Sequence, residues 1–345
     1  MDNRTNTYDE TPHTTRMTAP EIANLWNQFQ NDSMAICVYN HMLTTVEDES
    51  IRSILRQALK IAEGHITEIR NYFTKENVPV PHGFTADDVD LSAPRLFSDP
   101  ICLTYTYIMS VNGLAGYAAA ITTNVRRDLR DYFVHCNNET MQLFNQSLDL
   151  LVEKGIVSRP PSINPGPIYE FVEKKEFIKG IWGGERPLTC IEISNIFWDL
   201  KKIQLSKAVT TAFAQVAKVE EVKKFLWRGA KIYAKHVEVL ESVLSIENLP
   251  HPKSDTAEVT NSTIAPFSDR LMMFHKSLLS STTIGFYGTA MGTSERADLV
   301  MHYSRMMAEM EKYTEDGMDI VIKNKWLEQP PLATDRKKLS QKKNQ

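Results

Sequence analysis

Most of this chain is written twice. Thr18, Glu21, Ile22, Asn24, Lys60, Ile61, His65, Glu76, Asn77, Pro79 and Pro81 recur 171 residues later as Thr189, Glu192, Ile193, Asn195, Lys231, Ile232, His236, Glu247, Asn248, Pro250 and Pro252. One residue is then lost. At an offset of 170, Phe97-Ser98-Asp99 returns as Phe267-Ser268-Asp269, and Arg126, Asp128, Leu129, Pro160 and Pro161 return as Arg296, Asp298, Leu299, Pro330 and Pro331. Identity held at a fixed offset over this length, with a single slip, means two copies of one fold. The 345 residues divide into two domains of ordinary size.

Each copy reads as four helices. Thr18-Ala-Pro-Glu21 has the form of a capping box, a hydroxyl at the helix start and a carboxylate three residues on, and Thr189-Cys-Ile-Glu192 repeats it. Ile22, Leu25, Phe29, Ile36 and Leu43 then fall at helical spacing, which predicts a first helix reaching about Thr45. Glu47-Asp48-Glu49 opens a second, whose apolar side is Leu55, Ala58, Ala62, Ile66, Ile69 and Phe73, and Pro79 stops it. Asp99-Pro100 and Asp269 mark the start of a third, with the aspartate as cap, and a fourth runs from beyond Thr123 to Gly155.

The connections fix the topology. Helices one and two are joined by about three residues and should lie antiparallel, as should helices three and four. The stretch from Val78 to Phe97 is long enough to travel the height of a bundle. The expected fold is therefore all-α: two tandem ferritin-like four-helix bundles, each with a long crossover between its second and third helices. The expected boundaries are a disordered N-terminus at 1–17, bundle one at 18–158, an inter-repeat segment at 159–188, bundle two at 189–333 and a basic disordered tail at 334–345. The inter-repeat segment is proline-rich and then aromatic, and its aromatics are expected to pack the two bundles together.

Composition narrows the partners. A net charge of −4 gives no reason to expect nucleic acid. The four cysteines have no CxxC spacing, which argues against a disulfide framework or a zinc knuckle. The most apolar stretch, Ile101 to Thr123, is interrupted by Thr104, Thr106, Ser110 and Asn112, so no transmembrane segment is expected. No GxGxxG or GxxxxGK[ST] loop is present.

The strings Asn77-Val-Pro-Val-Pro-His-Gly-Phe84, Asp87-Asp-Val89, Arg95-Leu-Phe-Ser-Asp99 and Arg186-Pro-Leu-Thr189 resemble a family of uncharacterised, spore-coat-protein-like proteins of spore-forming Gram-positive bacilli. The likeness runs from Thr18 to about Pro331, in tandem. It implies a ferritin-like four-helix fold without an established activity. In the second copy Asp87-Asp88 becomes Ala257-Glu258, so any function of the first crossover is expected to weaken there.

A ferritin-like bundle raises the question of a di-iron site, which needs Glu-x-x-His on two helices. Neither His65 nor His236 has a glutamate three residues before it. Each nevertheless lies at core-facing spacing and must satisfy its ring nitrogens. The first expectation is a hydrogen-bonded core histidine. The second is a degenerate site for a divalent metal, at His65 or at His236 with His275, since two imidazoles suit zinc, copper or nickel. Asp128 and Asp298 read as helix-dipole partners. No cofactor is expected otherwise, and no nucleophile–base spacing points to an enzyme.

The reading that follows is a non-catalytic structural or interaction protein, cytoplasmic or spore-associated, whose partner is another protein or a second copy of itself. Two alternatives stand beside it. One is the degenerate metalloprotein. The other is an apolar-ligand-binding bundle, in which Gly113, Ala115, Gly116, Ala118, Ala119 and Ala120 leave room beside the third helix.

Overall fold

A computed structural model describes residues 16–178 and 186–341. The expectations for the extreme N-terminus and for Trp182-Gly-Gly184 lie outside the described residues. Within them the chain is all-helical: α1 (Ala19–Thr45), α2 (Glu49–Lys75), α3 (Asp99–Thr123), α4 (Arg127–Glu153), α5 (Cys190–Val216), α6 (Glu220–Ile246), α7 (Asp269–Thr293), α8 (Ala297–Lys323) and a short α9 (Arg336–Gln341). The last lies in the basic tail that was expected to be disordered.

The helix ends form as their residues dictate. The Glu21 carboxylate accepts the backbone N–H and the hydroxyl of Thr18 at 2.7 and 2.8 Å, and Glu192 does the same for Thr189 at 2.9 and 3.1 Å. Asn77 and Asn248 take left-handed φ values of 54° and 56°, which lets the next residue's N–H close back on the helix. Val78 N–H reaches the Phe73 carbonyl and Leu249 N–H the Leu244 carbonyl, both at 2.9 Å. That geometry is the reason for the repeated Glu-Asn before the proline. The cap of α3 is Ser98 and not Asp99. Asp99 turns back instead, and its carboxylate accepts the Glu47 and Asp48 N–H groups in the turn between α1 and α2, as Asp269 does for Lys218 and Val219. A carboxylate in a first turn reaches free N–H groups of a neighbouring helix start as readily as its own.

In the first repeat α1 packs on α2 and α3 on α4, and the hairpins meet through α1–α3, α2–α3 and α2–α4. The second repeat pairs α5 with α6 and α7 with α8, joined through α5–α7 and α6–α8. The crossover 76–98 separates the hairpins of the first repeat, and 247–268 those of the second.

The repeats are joined by these crossovers, not by the inter-repeat segment. Val89 bridges Phe267 and Phe97 bridges Val259, both antiparallel. Val259 is the repeat of Val89, and Phe267 of Phe97. Each residue thus pairs with its partner's counterpart, as across the two-fold axis of a homodimer. Side chains obey the same rule: Ser268 Oγ donates to Asp88 at 2.6 Å, and Ser98 Oγ donates to Glu258. On the axis itself stand Tyr105 and its counterpart His275, 3.2 Å apart from Oη to Nε2. Tyr169 and Phe171, expected to pack the bundles together, are 98% and 96% exposed. Pro160, Pro161, Pro165 and Pro167 keep that stretch extended and take backbone donors from it; the segment meets a repeat only further on, where Phe177 lies under Arg186 at 3.9 Å and the Ile178 carbonyl accepts the Ala297 N–H at 3.1 Å, both in the second repeat.

One continuous core runs from the first repeat through this seam into the second, containing Val38, Leu55, Leu103, Leu200, Leu205, Phe213, Leu240 and Leu271. The far end of the first repeat has a separate cluster: Leu25, Phe29, Ile69, Phe73, Leu129 and Phe133. On every helix of that repeat, polar residues fall between the two clusters.

Candidate functional site

Those polar residues surround His65. From α2 its Nδ1 lies 3.1 Å from Asp32 Oδ2 on α1 and 3.5 Å from the Tyr117 hydroxyl on α3. Its Nε2 lies 3.6 Å from Glu139 Oε2 on α4, which also meets His135 at 3.2 Å. The ring is 3% exposed. Burial opposes a charge there, but the Asp32 carboxylate outweighs it, and the imidazole is pushed up to about 10. His65 is therefore an imidazolium at neutral pH, held between two acids.

The second repeat keeps three of these groups and loses the one that matters for charge. His236 Nδ1 is 3.2 Å from the Tyr287 hydroxyl, the counterpart of Tyr117, and Nε2 is 3.2 Å from Glu309, the counterpart of Glu139. At Asp32's position stands Ile203, fully buried. Burial now prevails over Glu309, with Lys235 and Arg305 adding to it, and His236 is pushed down to about 4. It is a neutral hydrogen-bonded ring.

His275, expected beside His236, has no bonded partner in common with it. It sits on the seam against Tyr105 and Phe213, and burial pushes it down to about 3. Among the described residues no group of three or more His, Cys, Asp or Glu side chains is gathered where it could hold a metal ion. The partners that sequence reading missed are Tyr117 and Tyr287, and Glu139 and Glu309. Both pairs recur at the same offset of 170 and could have been found by it. Asp32 gave no such signal, because it does not recur.

The repeated charges that looked like caps form a junction at the far end of each repeat. Arg126, at the start of α4, binds Asp128 through Nε and Nη2 at 3.1 and 2.6 Å and Glu76, at the end of α2, through Nη1 at 2.5 Å. Glu21, at the start of α1, accepts the Val125 and Arg126 N–H groups at 3.1 and 2.8 Å. Arg296, Asp298, Glu247 and Glu192 repeat the arrangement. Here Arg186 is added, clamping Glu192 at 2.8 and 3.0 Å, which accounts for Arg186-Pro-Leu-Thr189. Burial opposes the Glu192 charge, but Arg186 and the backbone donors overcome it and pull the carboxyl down to about 2. In the crossover, Asp88 is likewise engaged, by Ser268 and by Arg270 at 3.1 Å. Glu258 keeps the acid in the second copy.

Beside His65 the first repeat opens a groove of about 790 Å³. Its walls come from α1 and α3, from α7 of the other repeat, and from the segment after α8 that carries Trp326 and Glu328. Asp32, Gln28 and Tyr117 reach it from the histidine cluster. The space exists because of two replacements. Gly116 stands where the second repeat has Phe286, and Asn27 where it has Trp198. In the second repeat those two rings lie 6.1 Å apart, with Trp198 also against Tyr107 at 6.3 Å. Lys202, the counterpart of Asn31, lays its ammonium 3.8 Å above Phe286. A second hollow of about 510 Å³ lies on the outer face of the first repeat, against His65, His135 and Glu139.

Comparison with known proteins agrees with the doubled sequence. A solved structure described as a "putative spore coat protein" from Bacillus halodurans is similar at 18% identity and a TM-score of 0.40, covering 44% of this chain and 98% of that one. No curated protein matches the chain. The model of a family described as "Protein of unknown function (DUF3231)" matches residues 5–166 and again residues 176–339. The chain belongs to that family and carries its unit twice.

Proposed function

We propose that this protein is a non-catalytic structural or interaction protein, spore- or stress-associated, built from two ferritin-like bundles locked together as an internal pseudo-dimer. The bundle reading rests on the order hairpin, crossover, hairpin in both repeats. The observation that carries the functional reading is where the duplicated polar residues go. Glu21, Glu76, Arg126 and Asp128, with their four counterparts, spend their charges on each other and on helix starts. Both copies also keep a buried histidine with its tyrosine and glutamate, but those three groups face one another inside the bundle, and the larger duplicated set is the joinery. The spore association rests on the resemblance carried by the crossover strings. Among the described residues no helix is long and apolar enough to cross a membrane.

Two measurements test this. A fluorescent fusion followed through sporulation of a Gram-positive bacillus should gather on the developing spore, and a signal diffuse at every stage removes that assignment. The purified chain should show no turnover on panels of ester, phosphate and peroxide substrates; turnover that disappears in His65→Ala refutes the non-catalytic reading.

A further inference from the structure

Two features of the molecule lack a counterpart, and each has what the other needs. The first is the inter-repeat segment, where Ile168, Tyr169, Phe171 and Val172 are all exposed, the two rings almost wholly. Single exposed apolar residues are ordinary, but a bare cluster with two aromatics marks a contact surface. The segment belongs to neither bundle, since the two stretches that match the family unit stop at 166 and resume at 176. Its ends are tied to the second repeat. Before it Ser158 Oγ accepts the Lys253 N–H at 3.3 Å, and after it the Ile178 carbonyl accepts the Ala297 N–H at 3.1 Å.

The second feature is the groove of the first repeat, which is short of two rings. Gly116 and Asn27 line it where the second repeat places Phe286 and Trp198. In the second repeat those rings lie 6.1 Å apart. In an extended chain, residues two apart stand on one side at about 6.6 Å. Tyr169 and Phe171 thus have the number and the spacing of the rings that the groove lacks. Met318 and Leu327, also on its walls, are exposed and make the rim apolar. Glu328 on the rim is held by Gln30 and by the His82 and Gly83 N–H groups, none of them a cation. Its charge opposes an acidic occupant. The stretch from Ile168 to Lys175 balances two glutamates with two lysines, and Lys174 and Lys175 follow the rings.

Within one chain the two features do not meet, since the rings are bare and the groove stands open. We propose that a second copy of this chain joins them: Tyr169 and Phe171 of each copy enter the first-repeat groove of the other, giving a reciprocal dimer. The area selects exchange in both directions. A buried aromatic side chain covers about 150–250 Å². One segment in one groove would bury about 300–500 Å² of ring and a like area of wall, less than the roughly 1,200 Å² of a stable interface. Two such contacts about a two-fold axis bury about 1,200–2,000 Å², which reaches it. The second repeat cannot take part as a receiver, because Phe286 and Trp198 already fill its groove. This rests on the interaction reading above and names the partner.

The test is sedimentation equilibrium of the full chain, which should give twice the mass of one chain in the micromolar range. Tyr169→Ser combined with Phe171→Ser should weaken the dimer at least tenfold and leave the helix content unchanged, because both side chains are exposed in the single chain. Gly116→Phe, which copies the second repeat, should weaken it as much; a Cβ there meets nothing within 4 Å. Mixed together, the serine variant and the groove variant keep one intact pairing. They should form a heterodimer weaker than the parent dimer and tighter than either variant alone, a result that a general loss of stability does not give. The proposal is overturned if the chain sediments as a monomer throughout that range, if either variant pairs as tightly as the parent, or if the mixture gains nothing. Should Gly116→Phe fail to fold, Asn27→Trp takes its place as the groove variant under the same criteria. A monomer would leave the spore assignment and the absence of turnover to their own measurements, so the two readings fail separately.

Discussion

His65 and His236 occupy the same position in two copies of one fold and keep the same tyrosine and the same glutamate, yet one is charged and the other neutral. The largest difference between them is one residue on the facing helix, Asp32 in the first repeat and Ile203 in the second; Lys235 and Arg305, where the first repeat has Gly64 and His135, act in the same direction. The first repeat holds an imidazolium in a polar layer that splits its core in two. The second holds a neutral ring in a core that continues unbroken to the seam. The lesson is that the duplication preserved the frame and let the interior diverge. A buried histidine takes its protonation from its neighbours and not from its position. The remaining differences follow the same line, since Gly116 and Asn27 leave a groove where Phe286 and Trp198 fill one.

Where the two copies agree, damage should be equal and large. Arg126→Ala and Arg296→Ala each leave two carboxylates at the far end of a repeat without their cation. Breaking a buried ion pair by removing one partner costs about 3–5 kcal/mol. Chemical denaturation should show losses of that order in both variants. A loss under about 1 kcal/mol in either would mean that its junction is solvated and that the frame is held elsewhere.

Where the copies differ, pH should separate them. The His65 value is raised from about 6.5 to about 10, so the folded form holds its proton more tightly than the unfolded chain. Its contribution is fully present below about pH 6.5 and is lost as pH rises through 10; the whole span is on the order of 5 kcal/mol. The His236 value is lowered to about 4. Its contribution is present above about pH 6.5 and is lost as pH falls through 4, a span of about 3 kcal/mol. Comparing variant with parent at each pH cancels the other titrating groups. His65→Gln should cost more at pH 6 than at pH 10, and His236→Gln more at pH 7 than at pH 4. Slopes of the same sign in both would erase the distinction drawn between the repeats.

The exchange of one residue should move the charge state itself. Asp32→Ile should bring the His65 midpoint down below 6.5, toward that of His236, and Ile203→Asp should raise the His236 midpoint. Imidazole proton or nitrogen chemical shifts followed through pH give both values directly. If the midpoints stay in place, Asp32 is not the cause, and Glu139 and Glu309 must be reconsidered.

Much of the frame was legible because its signals are local. Thr18 and Glu21 are three residues apart, Asn77 precedes a proline by two, and the turn between α1 and α2 is three residues long. Such short spacings translate into geometry without knowledge of the rest. Offset identity did the same at long range, and applied to every position it would also have yielded Tyr117, Tyr287, Glu139 and Glu309. What stayed hidden depends on register between helices. Asp32 is 33 residues from His65, and only the pairing of α1 with α2 shows that the two face each other. The seam was hidden for the same reason. Nothing in Val89 or Phe97 alone says that each pairs with the other's copy. The aromatic segment near Tyr169 looked like glue because aromatic content is visible in a sequence and its lack of backbone hydrogen bonds is not.

The smallest expected effect tests the frame at one backbone position. Gly155 follows α4 at a φ of 66°, and Lys325 follows α8 at 59°. Glycine adopts this left-handed conformation freely, whereas a residue with a Cβ is strained by about 1–2 kcal/mol. Lys325→Gly should therefore relieve strain in the second repeat, against an entropic cost of about 0.5–1 kcal/mol for the freer unfolded chain. The net gain should be about 0.5 kcal/mol in denaturant midpoint experiments. The reverse change, Gly155→Lys, should cost the first repeat a similar amount, because the site is open and a side chain there meets nothing within 4 Å. Opposite signs in the two variants would show that the copies end their last helices in the same way and differ only in how well the residue suits the turn. Equal signs would mean that Lys325 gains a contact of its own that outweighs the strain.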